Sequence, residues 1–134
     1  MGFQEWAEES YDMGSLDEDP RILQYGAIVA VRSTVDDTGS LVEGAIELLG
    51  AGFTQLWSDA IEALRGFGLD DIATLLADAE TEFDEGDPYG EATVADEQRR
   101  EAIAARWPAL GASDRIDALG EKLLAETRWS PPAD

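Results

Sequence analysis

The sequence contains no cysteine and no histidine. Without cysteine the chain can form neither a disulfide bond nor a reactive thiolate. Without histidine as well, it cannot assemble the usual nitrogen and sulfur ligands of a zinc site, and it has no imidazole to act as a base. Carboxylates are therefore the main side chains left for any catalytic or metal-binding role.

Basic residues and long apolar runs are also scarce. One Lys and eight Arg stand against thirty Asp and Glu, which gives a net charge of -21. A chain with this charge repels nucleic acid and anionic membranes, and it attracts basic surfaces. The longest apolar run, Ile28–Val31, is far too short to cross a bilayer. Because no secretory signal is visible, we expect a soluble cytoplasmic protein.

The chain does have enough apolar material for one folded domain. It is 134 residues long and 44% hydrophobic, with four Trp and four Phe. We predict a single all-α domain over residues 20–129, preceded by an acidic segment (1–19) and followed by a short tail (130–134). The acidic segment holds seven acids and no base, and it is either a loose terminus or a short helix. In the second case its inward stripe is Phe3, Trp6, Ser10 and Met13.

Caps and apolar spacing predict a compact multi-helix domain of about six to seven short helices. Asp19-Pro20 is typical of a helix start. The apolar segment that follows would also suit a buried strand, but its helical neighbours favour a central buried helix. Ser40 with Glu43 and Thr93 with Asp96 form capping-box patterns, and Ser113 is a candidate cap for the last helix.

A helical hairpin is predicted over Gly50–Phe83, with its turn at Gly66-Phe67-Gly68. Each helix carries apolar side chains at spacings of three and four residues, which places them on one face. The first stripe consists of Phe53, Leu56, Trp57, Ala60, Ile61, Leu64 and Phe67. The second consists of Ile72, Leu75, Leu76, Ala79 and Phe83.

Charge is divided unevenly along the sequence. Between Arg65 and Arg99 there are eleven acids and no base, whereas from Arg99 to the end six acids meet six bases. Acidity needed only for solubility does not require such a division. We therefore expect one face or one half of the molecule to be negative.

The segment Gly50-Ala51-Gly52-Phe53-Thr54-Gln55-Leu56-Trp57 resembles the Asn-Gly-Gly-Phe-x-Gln-aromatic signature of the bacterial DNA-mimic protein family. Gly52, Phe53 and Gln55 match; Gly50 and Ala51 replace the Asn and the first Gly, and the aromatic residue falls one place late, at Trp57. The resemblance implies packed α-helices, a homodimer and surface carboxylates that imitate DNA phosphates on the DNA-binding face of a regulator. It makes Gly52, Phe53, Gln55 and Trp57 a structural motif, and leaves binding to the outer carboxylates.

A row of carboxylates on the second hairpin helix is the leading candidate surface. Asp71, Asp78, Glu82 and Glu85 follow each other at steps of seven, four and three residues, which places them on one side of the helix. Other acids are expected to supply a second row or the helix start. The full predicted partner-binding set is Asp59, Glu62, Asp70, Asp71, Asp78, Glu82, Asp84, Glu85, Asp87 and Glu91.

Two plainer explanations compete with a binding surface. Acidic residues normally occupy solvated helix faces, so no single carboxylate is informative by itself. The whole composition could also reflect adaptation to high salt, where self-repulsion is screened. The balanced charge after Arg99 argues mildly against this second explanation.

The sequence therefore supports one leading hypothesis and two alternatives. The leading one is a non-enzymatic DNA mimic that binds the basic DNA-binding face of a transcription regulator or nucleoid protein. The first alternative is an inhibitor or immunity-type protein that neutralises a basic nuclease or toxin by the same electrostatics. The second is a carboxylate-based, metal-dependent hydrolase. For the leading hypothesis we expect no cofactor, no bound metal and no direct contact with nucleic acid.

Overall fold

The computed structural model describes residues 2–15, 18–85 and 93–131, and these form seven α-helices and no β-strand. The predicted all-α multi-helix domain is confirmed. Residues 86–92, which follow the hairpin, lie outside the described residues. The helices are α1 (Phe3–Met13), α2 (Pro20–Thr38), α3 (Leu41–Gly50), α4 (Thr54–Gly66), α5 (Asp70–Glu85), α6 (Val94–Ala109) and α7 (Ala112–Thr127).

Helix α2 is the centre of the domain. It begins as predicted: the Asp19 side chain accepts a hydrogen bond from the Arg21 backbone N–H, and Pro20 occupies the first position. Helices α1, α3, α4 and α7 pack around it, which explains why its sequence is apolar on almost every side. The buried side chains of α2 include Ile22, Tyr25, Ile28, Val31 and Val35.

Helices α4 and α5 form the predicted hairpin. Trp57 is fully buried, and its indole N–H donates a hydrogen bond of 2.9 Å to the Leu76 carbonyl, which joins the two helices. The prediction that Phe53 belongs to the buried stripe is wrong. Helix α4 begins only at Thr54, so the helical spacing does not extend to Phe53, whose surface is 55% exposed. The prediction that Ser113 caps the last helix is also wrong, because α7 begins before it, at Ala112, and Gly111 is the N-cap.

The acidic N-terminal segment contains a packed helix. Phe3 and Ser10 of α1 are buried as predicted, but Met13 is 81% exposed, and Ala7 takes the most buried position. The close approach of α1 to α2 at Gly26 explains this shift. A Cβ atom on Gly26 would lie only 2.1 Å from the Ala7 carbonyl oxygen. Only glycine therefore allows the two helices to meet there.

Replacing Gly26 with Ala should destabilise the fold by about 1–3 kcal/mol, because α1 must move away from α2 to make room. Gly66→Ala is the matched control. Gly66 also lies in a helix, but its added Cβ would meet nothing within 4 Å. This control should be neutral or stabilising by up to about 1 kcal/mol. Urea unfolding followed by circular dichroism measures both, and equal midpoints would contradict the close packing at Gly26.

A polar network fastens α1 and α7 to α2. The buried Arg32 guanidinium pairs with Asp117 and donates a hydrogen bond of 2.6 Å to the Gln4 side-chain oxygen. The Gln4 amide in turn donates to Asp117 at 2.9 Å and to the Tyr25 hydroxyl at 3.2 Å. The Tyr25 hydroxyl donates to the Ile116 carbonyl at 3.0 Å. The hydrogen bond from Gln4 and the Arg32 charge hold the pKa of Asp117 below its ordinary value.

Asp117→Asn should lower the free energy of unfolding at neutral pH by about 1 kcal/mol, a value reduced because Asp117 is partly exposed. Because the folded state lowers the pKa of Asp117, its contribution is present above the unfolded pKa of about 4 and is lost as the pH falls through the lowered value. The gap between wild type and variant should therefore close in acid. Glu121→Gln, which removes the same charge one turn along α7, is the control. A gap that persists at low pH would contradict this electrostatic origin.

Candidate functional site

The predicted carboxylate row of α5 is largely occupied by the protein's own arginines. Three of its four members form ion pairs with side chains of α6 or α7. Glu82, whose side chain is only 12% exposed, contacts two of these arginines at once. The pairs are Asp71–Arg115 (2.6 Å), Asp78–Arg106 (2.7 Å), Glu82–Arg99 (3.2 Å) and Glu82–Arg100 (3.4 Å).

Because of these contacts, the uneven distribution of charge along the sequence does not carry over to the folded surface of α5. The bases from Arg99 onward do not form a separate balanced half, because α6 and α7 bring four of them back onto the acids of α5. The hydrogen bond from Arg115 accordingly holds the pKa of Asp71 below its ordinary value. The row therefore carries much less uncompensated charge than the sequence indicates.

Helix α6 contacts α5 through three arginines and buries one large apolar side chain. Trp107 is its single buried residue, and most of its other side chains are half-buried or exposed. Its start is well fixed, since the predicted capping box between Thr93 and Asp96 is present. Hydrogen bonds from Thr93 and from Arg99 lower the pKa of Asp96 to about 2. The helix thus covers the α5 row mainly through charged side chains.

The Asp78–Arg106 pair should contribute only about 0.5 kcal/mol, because both side chains are nearly half exposed to water. A double-mutant cycle with Asp78→Ala and Arg106→Ala measures this coupling, which should shrink as salt screens the charges. A second cycle with Asp78→Ala and Arg65→Ala is the control, because Arg65 forms no ion pair with the described side chains. Equal coupling in the two cycles would contradict a specific contact between α5 and α6.

The carboxylates without ion pairs lie mainly on other helices. Within residues 2–15, 18–85 and 93–131, no acid of α1, α3 or α4 forms an ion pair. The same holds for Asp70, Asp84 and Glu85 of α5. The unpaired acids of the other three helices are Glu5, Glu8, Glu9 and Asp12 on α1, Glu43 and Glu47 on α3, and Asp59 and Glu62 on α4.

The structure separates Asp59, a predicted partner-binding residue, from the α5 row. Asp59 faces α1, where it accepts a hydrogen bond of 2.5 Å from the Tyr11 hydroxyl and one of 2.8 Å from the Gln55 amide. Asp71, Asp78 and Glu82 face α6 and α7 instead. Asp87 and Glu91, which were predicted to extend the surface, lie outside the described residues.

Two adjoining hollows run between α4 and the helices beside it, α1 and α2. One has a volume of about 500 Å³ and is bordered by Asp12, Phe53 and Leu56; the other, of about 200 Å³, is bordered by Gln24 and Glu62. Tyr11 and Asp59 line both, and no basic residue lines either. We call these two hollows together the α1–α4 groove.

Electrostatics around the groove are consistent with crowded negative charge. Burial, together with the charge of Asp12 one turn away, raises the pKa of Glu8 above its ordinary value. Burial and the hydrogen bond to Asp59 raise the pKa of the Tyr11 hydroxyl, which therefore remains a neutral donor. The Tyr11–Asp59 hydrogen bond thus ties the acidic side chains of α1 to those of α4.

The signature segment contributes to this groove. Gly52, with φ +90°, makes the turn before α4, and Phe53 and Gln55 follow on the surface; of the four motif residues only Trp57 lies in the core. The sequence-based prediction missed Tyr11 and Phe53 as surface neighbours. Nothing in helical spacing relates α1 to α4, but Phe53 directly follows a glycine turn, which was a signal that it precedes the helix.

Comparisons with protein families, with characterised proteins and with solved structures found no match to this chain. The resemblance to the DNA-mimic family therefore stays a prediction from Gly50–Trp57. No helix in the described part of the chain is long and apolar enough to span a membrane. Nor do the described residues include a group of three or more carboxylates placed to hold a metal ion, so they lend the hydrolase hypothesis no support.

Proposed function

We propose that this protein is a non-enzymatic DNA mimic. It binds the basic DNA-binding face of a transcription regulator or nucleoid protein and so prevents that protein from binding DNA. The observation that supports this proposal is the uncompensated negative surface: within a chain of net charge -21, the described acids of α1, α3 and α4 form no ion pair. Such a surface attracts proteins whose own surface is built to bind phosphates.

The spacing of these acids suits competition with DNA. Carboxylates three or four residues apart on a helix lie about 5–6 Å from each other. Duplex DNA presents one phosphate per roughly 3.4 Å of axis on each strand, so two neighbouring helices are needed to approach that density. Helices α1 and α4 are joined by the Tyr11–Asp59 hydrogen bond, which holds their acids in a fixed arrangement.

The proposal includes two further features, one implied by the family resemblance and one expected from the sequence. One is assembly as a homodimer, which would double the acidic surface presented to a partner. The other is a cytoplasmic location, where DNA-binding partners are found. An immunity-type inhibitor of a basic nuclease would use the same electrostatics, and the identity of the captured partner separates the two functions.

The proposal predicts that a DNA-binding protein from a bacterial lysate is retained by the immobilised protein at low salt and released as salt rises. The purified partner should then lose its DNA in a gel-shift assay when this protein is added in equimolar amount. Retention of a basic nuclease and loss of its activity would support the inhibitor function instead. If no basic protein is retained, the proposal is wrong.

A folding control accompanies that experiment. Circular dichroism should show that the protein remains helical in dilute buffer, because a mimic must present its charges at ordinary ionic strength. Unfolding in dilute buffer and refolding in concentrated salt would indicate high-salt adaptation as the origin of the acidity.

A further inference from the structure

The α1–α4 groove exposes an aromatic ring among carboxylates. Phe53 is 55% exposed, and Leu56 lies half-buried in the same hollow, next to Asp12 and Asp59. Apolar surface in water is unfavourable by roughly 25 cal/mol per Å². The ring and its apolar neighbour therefore add an apolar surface to the carboxylates that border the same hollow.

We propose that the α1–α4 groove is the docking site for a basic amphipathic helix of the partner protein. An apolar side chain of that helix rests on Phe53 and Leu56, while its Lys or Arg side chains lie beside Asp12 and Glu62. This inference rests on the proposed function, because it names the surface and the side-chain chemistry that hold the same partner. Grooves between helices commonly accept an amphipathic helix in this manner.

Charge complementarity determines that the occupant is basic. No Lys or Arg lines either hollow of the groove. Asp59 is already held by Tyr11 and Gln55, so its position is fixed before a partner arrives. Asp12 and Glu62 are exposed and form no hydrogen bond or ion pair through their side chains with the described residues. Both carboxylates are therefore open to a cationic partner.

Another hollow, between α1 and α7, is less suited to the same role. It has a volume of about 450 Å³ and is bordered by Glu5, Asp117, Glu121 and Leu124. Its Asp117 is already paired with Arg32, and Leu124 is only 37% exposed, against 55% for Phe53. Glu5 and Glu121 of this hollow form no ion pair with the described residues, but its exposed apolar side chain, Leu124, is smaller and less exposed than the Phe53 ring, and the hollow supplies a matched control.

Two synthetic peptides test the proposal on the full chain. The first is a helical peptide of about 18 residues with Leu on one face and Lys on the other; the second replaces every Leu with Ser and keeps the charge. Each is titrated at an ionic strength of about 0.15 M, and backbone amide shifts are followed by NMR. The Leu peptide should bind more tightly, and the largest shifts should fall at Tyr11, Phe53, Gln55 and Glu62.

Single-residue variants then distinguish binding in the α1–α4 groove from non-specific attraction to negative charge. Phe53→Ala should weaken binding of the Leu peptide about fivefold or more, because an exposed aromatic anchor is lost. Glu62→Gln should weaken binding of the same peptide about twofold to threefold. Leu124→Ala and Asp78→Asn, which change the other hollow and the paired α5 row, should leave its affinity unchanged. Because Phe53 is on the surface, its variant should keep the thermal unfolding midpoint of the wild type.

Several results would overturn the groove proposal. The first is equal affinity of the protein for the two peptides. The second is NMR shifts centred on α5 or α7. The third is an affinity of the Phe53→Ala variant for the Leu peptide equal to that of the wild type. Dissociation of a dimer by Phe53→Ala without loss of peptide affinity would instead assign the ring to a contact between two copies, which also overturns it. If Phe53→Ala still displaces DNA from the captured partner as well as wild type does, the groove proposal fails while the DNA-mimic function stands.

Discussion

A chain with a net charge of -21 has few cations to place against its anions, and the positions of those cations govern the rest of the surface. Seven of the nine basic residues form ion pairs within the described part of the chain, which leaves Arg65 and Arg128. Four of the seven form ion pairs with acids of α5, where the acids are most crowded. Their placement relieves repulsion where α5 meets α6 and α7, at the edge of the fold.

The same placement leaves the surfaces of three other helices negative. Because α6 and α7 contribute their arginines to α5, no cation in the described part of the chain forms an ion pair with the acids of α1, α3 or α4. The free charge therefore borders the α1–α4 groove, where Phe53 adds an apolar contact. A partner that carries both basic and apolar side chains fits this surface better than one that carries charge alone. In the proposed complex, charge steers the encounter, and the ring provides an apolar contact that salt does not screen.

Beneath this surface, the core is organised by close contacts with α2. Gly26 lets α1 approach α2 closely, and Gly120 of α7 leaves room for the Tyr25 ring, whose hydroxyl would lie 2.2 Å from an added Cβ. The buried Arg32 then links α1 and α7 through Gln4 and Asp117. The acidic N-terminal segment is held against the rest of the fold by these contacts, so the charges of α1 are carried on a packed helix.

The sequence by itself determined the local structure of this protein. The caps at Asp19, Ser40 and Thr93, and the glycine turn of the α4–α5 hairpin, follow from chemistry within a few residues, which capping and turn patterns report. Only the tertiary structure decided which carboxylates remain free. The arginines that pair with Asp78 and Asp71 lie 28 and 44 residues away along the chain, and no local pattern encodes such a contact. The position of Tyr11 beside Phe53 was decided in the same way, because it depends on how α1 packs across α2 towards α4.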